Sequence, residues 1–216
     1  VCEGDRLQLD VDKNLAFLER SGRPVFVSTP DLLLDIPWAK WCPVVVEPDR
    51  WSQGRDVFSA TRIVVSHVPS DAGSKGSELI EPVLRALHDD GIADYRRVHG
   101  IASAEMPSIL RDTDILLDQF RAGSYGVAAV EAMAAGRVVI AHVVPQVREI
   151  VLELTGRSLP IVEATPDSID VVVRGLASDP QRARAIGAEG ASFAREVHDG
   201  RRSARTLTAE WIRESL

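Results

Sequence analysis

The chain has 216 residues, 45% of them hydrophobic and 26% charged, with a formal net charge of −7; this is ordinary globular composition, enough for one large domain or a domain plus part of another. Lysine and arginine are scattered rather than striped, which argues against a nucleic-acid partner, and no run approaches the ~18 apolar residues of a transmembrane segment. Cys2 and Cys42 form no CxxC pair and the histidines show no metal-ligand spacing, so reduced thiols, a cytoplasmic setting and no metal are expected.

The chain opens on Val1 rather than Met, as a processed chain or a fragment does. Residues 1–34 form a leading piece with one strand-like run, "PVFVSTP" (24–30), too small to bury a core alone. Residues 35–56, "DIPWAKWCPVVVEPDRWSQGRD", carry three prolines and three tryptophans and read as a linker packed against something. From there short apolar runs alternate with amphipathic stretches. "RIVVSHVP" (62–69), "YRRVHG" (95–100), "DILLDQF" (114–120), "RVVIAHVVP" (137–145) and "LPIVEA" (159–164) read as strands. Most lack strict alternation, as strands covered on both faces do.

Between the strands, "ELIEPVLRALHDDG" puts Leu79, Ile80, Val83, Leu84 and Leu87 on one face and ends at Gly91. Pro82 suits a first turn, so this helix is predicted to begin near Ser77 or later. Shorter helical patterns follow in "EMPSILRDTD", "YGVAAVEAMAAG", "QVREIVLELTG" and "PDSIDVVVRGLASD", and a helical tail runs from about residue 179 to "TLTAEWIRESL". Strand–helix alternation of this kind predicts an α/β fold with a doubly wound parallel sheet, Rossmann-like, over 57–178.

Three stretches could carry chemistry. In "SHVPSDAGSKGSELI" (66–80) a strand runs into a Gly/Ser/Asp loop, with Lys75 one residue before Gly76 at a helix start. Backbone amides, a helix N-terminus and a lysine suit a phosphate, although a solvated surface lysine fits equally well. "GSYG" (123–126) is a second strand-to-helix junction, and two such junctions in one parallel sheet face the same crevice. Glu131 is the single ionisable side chain of "GSYGVAAVEAMAAG"; a carboxylate there faces water, finds a partner, or accepts two hydrogen bonds from a vicinal diol such as a ribose. The DxD of "RDTD" (111–114) sits where a helix gives way to a strand, and Asp112 reads as turn chemistry rather than as a metal ligand.

With these residues in view, the chain resembles the GT-B glycosyltransferases, specifically the large retaining family numbered four (glycosyl transferases group 1). "VSHVPSDAGSKGSELI", "DTDILLDQFRAGSYG" and "GVAAVEAMAAGRVVIA" are similar, in that order, to three blocks of the family's C-terminal, donor-binding domain. The resemblance implies a nucleotide-sugar donor, transfer with retention and no required metal or other cofactor. By residue, Lys75 and Gly76 fall on the donor pyrophosphate and His67 on the family's phosphate-binding arginine. Glu131 falls on the ribose hydroxyls. Ser124 lies in the preceding block, and backbone amides near Tyr125, Gly126 and Val127 fall on the distal phosphate. Gly123 departs from the family, which has a glutamate there, and Asp118 and Gln119 are the candidates to contact the sugar instead.

The resemblance also implies that 1–34 ends an otherwise absent N-terminal domain holding most of a carbohydrate or lipid-linked acceptor. Residues 35–56 are then the interdomain linker, and the tail 179–216, with Trp211 and Ile212, packs back on that domain. Such a half binds but is poorly placed to catalyse alone, and any membrane association comes through the absent domain. A GT-B sugar-nucleotide epimerase and a non-catalytic nucleotide-sugar-binding domain are the alternatives.

Overall fold

The computed structural model describes residues 3–51 and 55–209, with side chains from residue 11 onward. The leading piece holds helix α1 (Glu3–Ser21), strand β1 (Phe26–Val27) and the one-turn helix α2 (Leu32–Asp35). Strand β2 (Lys40–Trp41) pairs in parallel with β1 as a separate two-stranded sheet, and a short helix, α3 (Pro48–Trp51), follows.

The main sheet is built from β3 (Ile63–His67), β4 (Ala93–Arg97), β5 (Ile115–Leu117), β6 (Val138–Ala141) and β7 (Val162–Glu163). They lie in the order β4-β3-β5-β6-β7 and every pairing is parallel. The intervening helices are α4 (Ala72–Lys75), α5 (Ser77–Asp89), α6 (Met106–Arg111), α7 (Val127–Ala134), α8 (Pro145–Thr155) and α9 (Ile169–Ser178). Helices α10 (Pro180–Val197) and α11 (Arg201–Leu207) follow. This is the doubly wound α/β sheet expected from the alternation.

Both faces of the sheet are covered. Leu116, Val139 and Ala141 pack with Ala129, Met133 and Phe193 on one side, while Ile115, Leu117, Val138 and Ile140 pack with Ile80, Leu84 and Val173 on the other. Two buried faces favour apolar residues at successive positions, which is why β5 and β6 read as continuously apolar.

Some boundaries differ from the sequence expectation. Strand β4 begins at Ala93, two residues early, because Ile63 opens β3 opposite Ala93 and sets the register. Helix α5 does begin at Ser77, yet Pro82 lies beyond its first turn and Leu79 is 41% exposed rather than in the core. Residues 43–46 pack on the α10–α11 junction: His198 Nδ1 lies 2.8 Å from the Val44 carbonyl, the Val46 amide donates back to His198 at 2.8 Å, and Ser203 donates to the Pro43 carbonyl at 2.7 Å. Trp211, Ile212 and Cys2 lie outside the described residues.

Asp114, the second acid of the DxD, is wholly buried. It accepts from the Phe58 amide at 2.6 Å, the Val64 amide at 2.8 Å and Arg55 at 2.6 Å. Its oxygens are therefore committed to the fold. Asp114→Ala removes the partner of two amides and a guanidinium, and is expected to lower the unfolding free energy by about 3–5 kcal/mol, read as a fall in the urea midpoint.

Candidate functional site

The strand order reverses beside β3, which has β4 on one side and β5 on the other. In open parallel sheets the crevice at such a reversal, outside the carboxyl ends of the strands, is where ligands bind. The segments leaving β3 and β5 are 68–76 and 118–126, the two that the sequence singles out. They enclose a crevice of about 540 Å³ whose lining includes Lys75, Gln119, Gly126, Val127 and Glu131.

Local sequence explains how Lys75 is presented. Asp71 caps α4 by accepting the Ser74 amide at 2.6 Å, and Gly76, at φ +70°, ends that single turn in a left-handed conformation before α5 starts. A side chain at 76 would be strained there, so glycine is the residue that lets helix follow helix. The Lys75 carbonyl also accepts the Phe120 amide at 3.0 Å, tying the β3 loop to the β5 loop. The Lys75 ammonium pairs with Asp118, and the other Asp118 oxygen accepts the Gly126 amide at 2.8 Å.

Glu131 is half-buried on the first turns of α7, whose remaining side chains are apolar. Burial pushes its carboxyl up to about 7 from an ordinary 4.5, and the positive charge of Arg50 opposes the rise only in part. Among the described residues it has no hydrogen-bonding side-chain partner, so the carboxylate lies open to the crevice.

The remaining candidates are placed elsewhere. His67 is fully buried, with Nδ1 3.0 Å from the Leu117 carbonyl and Nε2 2.7 Å from the Ser77 hydroxyl. The carbonyl can only accept, so Nδ1 carries the proton and Nε2 accepts from Ser77. Desolvation lowers its pKa, and the ring is a neutral brace between β5 and α5, not a cation facing a phosphate. Ser124 turns away and donates to Asp31 at 2.7 Å. Tyr125 is 2% exposed and meets the His198 ring edge-on, with centroids 6.0 Å apart. Of the loop's expected amide donors, that of Gly126 is occupied by Asp118. The first-turn amides of α7 have no intrahelical acceptor.

A model of the family described as "Glycosyl transferases group 1" matches residues 71–178, the stretch that contains Lys75, Asp118 and Glu131. The chain belongs to that family. A D-inositol 3-phosphate glycosyltransferase of Kineococcus radiotolerans is 27% identical over 209 residues, which are 94% of this chain and 45% of that protein. The chain thus spans under half the length of that relative. Among solved structures, that of Anabaena Alr3699/HepE with UDP and glucose superposes with a TM-score of 0.72 at 14% identity, covering 97% of this chain and 68% of that one. A sucrose-phosphate synthase of Thermosynechococcus elongatus gives a TM-score of 0.64 at 15% identity, covering 88% and 58%. At such identities the likeness shows the fold, that of the GT-B glycosyltransferases.

Two features of this family member escaped sequence reasoning. On the apolar side of the crevice, Val68 and Ile101 sit on loops with no periodic pattern, their one signal being position after a strand's carboxyl end, and Met106 opens α6. Arg50, which faces Glu131 electrostatically, lies 81 residues away on α3, and nothing local marks it.

Gly123 sits at φ +68° with Val144 packed against it. A Cβ there would lie 2.7 Å from Val144 Cγ1. Gly123→Glu is expected to cost about 2–4 kcal/mol, combining overpacking with left-handed backbone strain, measured by chemical denaturation. For Glu131, whose folded pKa lies above its unfolded one, the penalty is absent below about pH 4.5 and complete above about 7. Glu131→Gln should therefore match the parent's unfolding free energy at pH 4 and exceed it at pH 8 by roughly 1 kcal/mol, given water screening at a half-exposed site, as measured by chemical denaturation.

Proposed function

We propose that this chain is the donor-binding half of a retaining glycosyltransferase, taking a nucleoside-diphosphate sugar and passing the sugar to a carbohydrate or lipid-linked acceptor. The observation that carries the reading is the convergence of Lys75, the start of α7 and the open Glu131 on one crevice at the strand-order reversal. Lys75 and the first-turn amides of α7 suit the diphosphate, and Glu131 suits the two ribose hydroxyls. The apolar wall of Val68, Ile101 and Met106 suits the flat face of a base. Stabilising the departing diphosphate by fixed positive groups needs no metal.

In this reading Gly123 marks a subgroup and not a decayed domain, since Val144 fills the space a side chain would need where decay would leave a void. Gln119, on the crevice lining, is then the group closest in kind to a sugar contact. His67, placed with the donor ligands by resemblance, acts instead by bracing β5 against α5. Residues 1–34 end an N-terminal acceptor domain, 35–56 link it to the donor domain at 57–178, and 179–216 cross back toward it. A cytoplasmic location suits the reduced Cys42 thiol.

Calorimetric titration with UDP, GDP and ADP, without metal, tests the reading. UDP comes first because the Anabaena relative holds it. One nucleotide should bind in the micromolar-to-millimolar range, and Lys75→Ala and Glu131→Ala should each weaken it about tenfold or more, as loss of a charge-assisted hydrogen bond does. Changes below about threefold in both variants would show that the site lies elsewhere.

A further inference from the structure

The two groups best suited to a phosphate in this crevice already hold an anion, and it is the protein's own. The Asp118 side chain is fully shielded from solvent; one oxygen meets the Lys75 ammonium and the other takes the Gly126 amide, at the cap of α7, at 2.8 Å. A Cβ built on Gly126 would stand 3.7 Å from Asp118 Oδ2 and 3.8 Å from Lys75 Nζ. Carboxylate, ammonium and helix start therefore meet at one point on the crevice wall. This is the arrangement of an oxyanion seated at a helix N-terminus beside a cation.

The charge balance there is close. Lys75 is the cation of the crevice lining, Asp118 cancels it, and Glu131 adds a part-ionised carboxyl. His67 next to them is neutral, with both nitrogens engaged. The Lys75 charge is thus not free to meet an incoming diphosphate until it is released from its partner.

We propose that Asp118 is the resting occupant of the phosphate position, and that donor binding exchanges one anion for another at Lys75 and the start of α7. The inference rests on the donor reading above and adds how that site is regulated. Asp118 holds Lys75 and the loop in order while the site is empty, and it lowers the affinity for anything that carries a phosphate there. Phosphate-free parts of the ligand do not feel it.

The test titrates the full chain and its Asp118→Asn variant with UDP and with uridine. Removing the competing charge should tighten UDP about tenfold, close to 1.4 kcal/mol, and leave uridine within about twofold. If Asp118→Asn does not give a cooperative melt, Asp118→Ser keeps an acceptor for the Gly126 amide without the charge and carries the same expectation. UDP binding unchanged or weakened in a folded variant would overturn the exchange and make Asp118 a residue that positions Lys75. Silence of both forms toward both ligands would overturn the donor reading itself, and the exchange with it.

Discussion

A single buried carboxylate sets the geometry on which the crevice depends. Asp114 gathers the amides of Phe58 and Val64 and the guanidinium of Arg55 while its own amide donates to the Val64 carbonyl at 2.9 Å. It therefore fastens the entry of β5 to the entry of β3, the neighbours at which the strand order reverses. With Val65 set opposite Ile115, His67 and Leu117 end the two strands level, and the loops that carry Lys75 and Gly126 face each other. Leaving these groups unpaired in the interior would cost several kcal/mol, so the register is strongly specified. Other packing features agree with it: a Cβ on Gly187 of α10 would lie 2.4 Å from the Gly136 carbonyl oxygen, so backbone approaches backbone where the chain enters β6.

The opposite end of the sheet is electrostatically economical. One lysine, one shielded aspartate and one half-buried glutamate share a small volume, and burial acts differently on each. Asp118 keeps a cation and an amide as its partners. Glu131 has no such contacts and rises toward neutrality. The apolar neighbours that make α7 a good core helix are what desolvate Glu131, so packing and site chemistry come from the same small side chains.

Much of this was legible in the amino-acid sequence because it is local. Apolar runs between amphipathic stretches identify the parallel sheet, and a lone carboxylate among alanines and valines draws attention to Glu131. Lys75 stands out by its place between a strand and a helix. What stayed hidden depends on pairs far apart in the chain. The Lys75–Asp118 pair spans 43 residues and the Ser124–Asp31 bond 93, and no pattern within either segment announces them. The orientation of His67 was hidden for another reason: a histidine at a strand's end serves a ligand or the core with equal ease, and only Ser77 and the Leu117 carbonyl decide it. The likeness to the family placed the ring at the ligand, and the fold turned it inward.

The bond from Ser124 to Asp31, together with the seating of Tyr125 against His198, has a mechanical consequence. The loop that starts α7 is tethered from behind to the leading piece and to the junction between α10 and α11. A displacement of the segment bearing Asp31 must therefore either sever that tether or drag the glycine-rich loop along with it. The tether gives the leading piece a lever on the crevice with none of its described residues on the crevice lining.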